Sequence, residues 1–380
     1  MKKLARIALG AAAVAFFVGC GGSQPPISTP GAMPQNPAIA KPGDAGSWMS
    51  SSTDPASHVP GRKDHFIKAL FYAFGDGKLA IFNVSFQALP KLRKLVTIPY
   101  THLHGACSDP SGHVFVTQSG TSGSGEVIEF LHGGTSAVAT LSDTGVAMAC
   151  GYDRSTGNLA VANSYDPEAP GGPGPDIAVY TGETATPTLY ADPLGSILSC
   201  SYDSSGNLFV GGLRRHGHFV LIELPRGSSA VKAITIDGEI GGEHRREDVQ
   251  WHDGSLFITS VDRRPDHGTH VFVLSLSGST ATVEGTIRLH TVNPKEKAAR
   301  PWMALFGPYA VTTDRIGVSA WHIPLHCIGT CYVRRSDRHL LRIANGFVSI
   351  ATSAIRSQRW QKYRGARLDR TPREAWRPGG

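Results

Sequence analysis

The chain is 380 residues long, 41% of them hydrophobic and 18% charged, with a formal net charge of +7. That charge sits at one end: from residue 331 onward 12 Lys or Arg stand against 3 Asp or Glu, so the preceding 330 residues sum to −2. The basic balance therefore says nothing about what the body of the protein binds, and it gives no nucleic-acid footprint there. Phosphate-cradling glycine loops leading into a helix and a Gly-x-Ser-x-Gly elbow are both missing from the sequence.

In chain order, Lys2, Lys3 and Arg6 precede a 12-residue apolar run from Ile7 to Val18. A bilayer needs ~20 apolar residues, so the run reads as a secretory signal over 1–19 rather than a span. It ends Phe17-Val18-Gly19-Cys20, which resembles the lipobox of bacterial lipoproteins. The resemblance implies cleavage before Cys20 and acylation of its thiol. With Gly21 rather than Asp after Cys20, it implies the outer membrane as destination in a two-membrane cell, and an extracytoplasmic, lipid-anchored protein of the cell envelope. Residues 20–64 are the expected tether: 21–64 holds 8 Pro, 6 Gly and 7 Ser among 44 residues. Such a segment buries too little apolar surface to offset its ordering entropy, and its reach is about 35–40 Å.

From about residue 65 one phrase recurs: Cys107-Ser-Asp-Pro-Ser-Gly-His-Val-Phe-Val116, Cys150-Gly-Tyr-Asp-Arg-Ser-Thr-Gly-Asn-Leu-Ala-Val161, Cys200-Ser-Tyr-Asp-Ser-Ser-Gly-Asn-Leu-Phe-Val210 and Gln250-Trp-His-Asp-Gly-Ser-Leu-Phe-Ile258. Asp caps its own turn, Gly accepts positive φ, and the β-rich run returns the chain, so each copy predicts a hairpin. Gly75-Asp76-Gly77-Lys78 is read as a degenerate first copy. The aspartates fall 44, 50 and 50 residues apart, with two further strand-like runs per period, which gives four strands per repeat. The expected fold is an all-β β-propeller over 65–345, six four-stranded blades fitting the mean spacing best with five or seven as the alternatives, and a sixth would open near Trp302-Met303-Ala304-Leu305. After Asp314 the turn phrase does not recur, and a basic tail is expected over 346–380. The alternative at this stage is an irregular two-sheet sandwich, which needs no equal repeat.

The Asp-x-x-Gly-Asn-Leu-Phe-Val turn resembles the NHL and SMP-30-type propeller repeats of secreted bacterial proteins, over roughly 66–290. The resemblance implies architecture, since such propellers include lactonases, lyases and plain binding platforms. A calcium-dependent lactonase of the SMP-30 type implies Glu, Asn and Asp converging on the channel. Asn163 and Asp248 fit two of these places, and no glutamate of the first blade completes the set.

Read from the residues, His102, His104, Asn163, Asp166, Glu243, His244, Glu247 and Asp248 fall at strand ends or in loops, where propellers build sites. Of these, Asn163, Asp248, Glu247 and His244 are the candidate ligand- or metal-binding residues. His216, His218 or His244 would serve a lyase as acid or base. Ca2+ through oxygens or Zn2+ through His and Cys are the cations such sites would take. Cys107, Cys150 and Cys200 occupy equivalent or adjacent positions in successive blades, expected to lie beyond disulfide reach, and so read as small buried hydrophobes, with a thiol ring around a soft metal as the alternative. His322, His326, Cys327 and Cys331 are read either as a zinc set or as carrying a local Cys327–Cys331 disulfide.

The connections Pro167–Pro175, Glu239–Asp248 and Asp262–His270 are Gly/Pro-rich or alternate charge, which suits a polar recognition face. The expected function is thus a membrane-anchored binding or scaffolding module. Its partner would be a protein or carbohydrate at the loop face, and the chain is expected to be monomeric. The alternative is a metal-dependent hydrolase or lyase at the channel mouth.

Overall fold

Apolar runs without polar alternation, such as Leu208-Phe209-Val210, require strands covered on both faces. A computed structural model of the chain describes residues 70–75, 78–85, 91–120, 124–143, 145–164, 176–182, 186–191, 194–214, 218–238, 240, 248–261, 269–290, 302–314, 317–334, 337–340 and 350–353. The signal, the tether and most of the tail lie outside these residues.

The strands in chain order are β1 (Leu70–Gly75), β2 (Lys78–Ser85), β3 (Lys91–Pro99), β4 (Leu103–Ser108), β5 (Val114–Ser119), β6 (Gly125–Phe130), β7 (Ala137–Asp143), β8 (Val146–Tyr152), β9 (Leu159–Ser164), β10 (Asp176–Tyr180), β11 (Thr188–Ala191), β12 (Ser196–Tyr202) and β13 (Leu208–Leu213). They continue with β14 (Phe219–Leu224), β15 (Lys232–Asp237), β16 (Asp248–His252), β17 (Ser255–Val261), β18 (Thr269–Ser277), β19 (Thr280–His290), β20 (Met303–Phe306), β21 (Tyr309–Asp314), β22 (Gly317–His322), β23 (Gly329–Arg334), β24 (Asp337–Leu340) and β25 (Ile350–Ser353).

They form six antiparallel four-stranded blades: β25-β1-β2-β3, β4 to β7, β8 to β11, β12 to β15, β16 to β19, and β20-β21-β22-β24. The innermost strands β4, β8, β12, β16, β20 and β25 each touch the next around the ring, and β25 touches β4 to close it. β15 and β19 of blades 4 and 5 also pair in parallel along Thr235–Asp237, and β23 adds in parallel to the outer edge of β19. The expected architecture is the one observed, with blade 6 opening at Met303.

The closing strand lies past the expected boundary at 345. β25 pairs antiparallel with β1, Leu70 opposite Ser353 and Ala73 opposite Ile350, so the sheet reaches into the stretch assigned to the tail. This also moves the first hairpin. Because β25 is the innermost strand of blade 1, Gly75-Asp76-Gly77-Lys78 joins the second and third strands of that blade, opening on the face opposite the four clear phrases.

Core residues fall into clusters that each straddle two neighbouring blades. Val114 and Val116 pack toward blade 1 with Tyr72 and Ile81, whereas Phe115 between them packs toward blade 3 with Val161 and Tyr180. Leu208 and Val210 face blade 3 while Phe209 faces blade 5. Phe71 and Phe82 of blade 1 meet Val311 and Val318 of blade 6, so the last interface is packed like the others. Both faces of every middle strand are thus buried, which is why these runs do not alternate.

The repeated aspartates act as expected. Asp203 Oδ1 accepts from Ser205 N and Asn207 N, both at 2.8 Å, and Asp153 Oδ1 accepts from Ser155 N at 2.8 Å. Gly157 and Gly206 follow at φ of 83° and 88°, the left-handed conformation such turns need.

The cysteines correct the sequence reading. Cys107 on β4 and Cys150 on β8 form a disulfide with Cα atoms 5.6 Å apart. Two features bring them within reach. Cys107 stands two residues before its turn Asp109, whereas Cys150 and Cys200 stand three before Asp153 and Asp203, so Cys107 pairs with Phe115 while Cys150 and Cys200 pair with Val161 and Val210, one row further on. The innermost strands also converge tightly: a Cβ on Gly105 would lie 2.5 Å from Ala149 Cα. Cys200 is a free, buried thiol, so a three-thiol ring is not formed. Cys327 and Cys331 form the local disulfide, which takes both thiols from the zinc alternative.

Candidate functional site

Strand direction divides the connections between two faces. The first-to-second-strand turns within 109–113, 153–158, 203–207 and 253–254 open on one face. The strand ends joined by the second-to-third-strand and blade-to-blade connections lie on the other; the stretches between them include 165–175, 238–247, 262–268, 291–302 and 341–349, most of which lie outside the described residues. Every candidate polar residue at a described strand end falls on this second face: His104 near the start of β4, Asn163 near the end of β9 and Asp248 at the start of β16.

Three constellations stand there. In the first, Asp143 at the end of β7 reaches across from blade 2 to blade 3, where the Tyr180 hydroxyl donates to its Oδ1. Gly145 N donates to Asp143 Oδ2 at 3.4 Å, and Asn163 Nδ2 donates to Asp176 Oδ1 at 2.8 Å. Asp143, Asn163 and Asp176 are all buried. Burial raises the Asp143 carboxyl to about 6; hydrogen bonds from Tyr180, Asn163 and Gly145 oppose the rise, and the Asp176 charge adds to it. Burial likewise raises Asp176 and Tyr180, the latter also against the Asp143 charge.

The second centres on Asp248, which is buried and accepts from Met303 N at 2.8 Å, tying β16 of blade 5 to β20 of blade 6. Gln250 Nε2 stands 3.4 Å from its Oδ1, and burial pushes the carboxyl up to about 7. Asp248 N donates to Thr259 Oγ1 at 3.1 Å.

The third lies at the channel mouth. His104 Nε2 is 2.8 Å from Ser119 Oγ, and burial, with His102 beside it, lowers the imidazole to about 4, so it is neutral at pH 7. His102 has φ 56°, a left-handed conformation uncommon outside glycine, held by Ser119 N donating to its carbonyl at 3.0 Å. The register shifts between Leu103 and Ala106, and comparable shifts occur between Ala147 and Ala149 and between Ile197 and Ser199. Bulges thus recur at this end of three successive innermost strands.

Asn163 and Asp248 belong to separate networks in blades 3 and 5. His218 is exposed at the end of the 214–218 connection. Glu247, His244, Glu243, Asp166 and His216 lie outside the described residues. Among the described residues no group of three or more His, Cys, Asp or Glu is placed to hold a metal ion. Asp143, Asp176 and Tyr180 escaped the sequence reading because they come from two strands, β7 and β10, of different blades. The available signal was that Asp143 and Asp176 are acids at the ends of otherwise apolar strands. On the opposite face, His113 Nδ1 pairs with the buried Glu129 Oε1 at 2.9 Å, which raises the imidazole pKa.

No protein-family model matches the chain, and none of the curated proteins matches it in sequence. Among solved structures it is similar to hydrazine synthase of Kuenenia stuttgartiensis, at 11% identity and a TM-score of 0.45 over 65% of this chain and 71% of that one. It is also similar to the periplasmic gluconolactonase PpgL of Pseudomonas aeruginosa, at 10% identity and a TM-score of 0.49 over 76% of this chain and all of that one.

Proposed function

We propose that the chain is an extracytoplasmic propeller, anchored by lipid at Cys20, that works as a binding or scaffolding module. A protein or carbohydrate partner is held on the face bearing the connections 165–175, 238–247, 262–268 and 291–302. The observation that carries this is a difference between the two faces: the first-to-second-strand turns of one are short, while the second-to-third-strand and blade-to-blade connections of the other include four long Gly/Pro-rich or charged stretches. Binding and recognition residues sit disproportionately on such loops over a rigid scaffold. The buried acids on that face support binding ahead of chemistry, since Asp143 and Asp248 fasten neighbouring blades together. Two disulfides among the described residues support an oxidising compartment.

The test is affinity capture from envelope extract by the full chain, comparing replacement of 239–247 by a short Gly-Ser link with the same replacement of 225–231 on the opposite face. Loss of capture with the first alone supports the reading; equal behaviour contradicts it.

A second reading, a hydrolase or lyase at the channel mouth, is favoured by the neutral His104 hydrogen-bonded to Ser119. If Ca2+ takes part, the oxygen donors that stand together are those of Asp143, Asn163 and Asp176 rather than the pair Asn163 and Asp248. An enzyme would lose nearly all activity on one such change, whereas a binding platform would tolerate it.

A further inference from the structure

Among the described residues three large hydrophobic side chains are exposed: Leu189 at 44%, Ile328 at 85% and Tyr332 at 72%. The last two lie four residues apart on one element. Cys327 and Cys331 close a five-residue loop by their disulfide, with Ile328 next to the first cysteine and Gly329 at φ 72° turning the chain behind it. Beyond it, β23 leaves Thr330 and Tyr332 exposed, while Val333 on the other side packs into the core with Ile287 and Leu289. The element is therefore held from beneath by burial and from the side by a covalent bond, with its apolar tips outward.

A cation stands beside it. Arg288 of β19, the cross-strand neighbour of Tyr332, sets its guanidinium 5.7 Å from the Tyr332 ring centroid and is itself exposed. Arg334, Arg335 and Arg338 follow in sequence, at the head of the stretch whose balance is 12 basic to 3 acidic residues.

We propose that the Cys327–Cys331 loop and Tyr332, flanked by Arg288, dock the propeller on an anionic bilayer surface. The size of the patch selects this occupant. A stable protein interface buries ~800 Å² per partner around a clustered apolar centre, which two isolated side chains do not supply. One aliphatic tip, one tyrosine and the adjacent Arg288 match what interfacial insertion uses: apolar atoms below the headgroups, an aromatic ring at their level and a cation among them. The inference rests on the membrane-anchored reading in one respect: a lipid at Cys20 keeps the local bilayer concentration high, so a weak second contact suffices.

The experiment is co-sedimentation of the full chain carrying Cys20→Ser with vesicles of phosphatidylcholine alone or of phosphatidylcholine and phosphatidylglycerol. Adding Ile328→Ser and Tyr332→Ser should weaken partitioning onto the anionic vesicles about tenfold or more, and Arg288→Gln should weaken it there without changing the neutral vesicles. Both serine sites are exposed, and an unchanged thermal midpoint shows that the fold is intact. Equal partitioning of substituted and unsubstituted chains overturns the proposal. So does a substituted chain that keeps its vesicle binding but loses capture of one envelope protein, which would make the patch a protein contact. Since both chains lack the Cys20 thiol, a native protein without acyl mass at Cys20 would overturn the anchor and leave this comparison standing.

Discussion

Cys107 and Cys150 join the innermost strands of blades 2 and 3, closing a loop of 43 residues at the axis of the ring. Chain-entropy reasoning puts such a crosslink at roughly 2–4 kcal/mol. Replacing both cysteines by serine should lower the free energy of unfolding by that amount in denaturant titration. The double variant should also lose the effect of added reductant at this site.

Asp248 predicts an unusual pH dependence. Its folded pKa of about 7 lies above the ordinary 3.8, so the folded chain holds a proton that the unfolded chain releases. Stability from this group is therefore greatest below the unfolded pKa and falls as pH rises from about 4 to about 7. Asp143, raised to about 6, acts in the same sense, and His104, lowered to about 4, opposes it between pH 4 and 6.5. Asp248→Asn keeps an oxygen for Met303 N and removes the titration. Thermal midpoints measured against pH should fall less steeply between pH 4 and 7 in this variant than in the parent chain.

Asp203 accepts three hydrogen bonds within its turn, including Asn207 Nδ2 at 2.8 Å. Asp203→Ala leaves those donors to water and should cost ~1–2 kcal/mol by denaturant unfolding, while Asp203→Asn should cost less because one oxygen remains.

Gly105 marks where the central strands come closest. A methyl group there would press on the Ala149 backbone, which has no flexible side chain to yield, and would lie 2.7 Å from the Met148 carbonyl oxygen. Gly105→Ala should destabilise the chain by ~1–3 kcal/mol, and Gly227→Ala, where a Cβ meets nothing within 4 Å but φ is 73°, by less.

What was legible in the sequence was local chemistry repeated. Asp153 and Gly157, or Asp203 and Gly206, carry their turn in their own side chains and backbone, so the hairpins and the period could be read without tertiary knowledge. Relationships set by the closing of the ring were not legible. Gly75-Asp76-Gly77-Lys78 has the same turn chemistry as the other copies, and only the distant pairing of Ala73 with Ile350 reveals that it belongs to the other face. The disulfide depended on a one-residue offset between Cys107 and Cys150 combined with the close approach at Gly105. The Asp143 and Tyr180 contact joins two blades, and each residue alone resembles an ordinary strand end.

Ring closure by β25 is the relationship on which the closed six-bladed ring, and with it the place of the first hairpin, depends. Hydrogen exchange of the full chain, followed peptide by peptide, tests it most directly. The backbone amides of Ile350–Ser353 should be protected to an extent comparable with those of β4 and β8, since they sit in the innermost strand of a packed blade. Exchange at the rate of an unpaired peptide would show that the ring is not closed by this strand and would contradict the placing of Gly75-Asp76-Gly77-Lys78 between the second and third strands of blade 1.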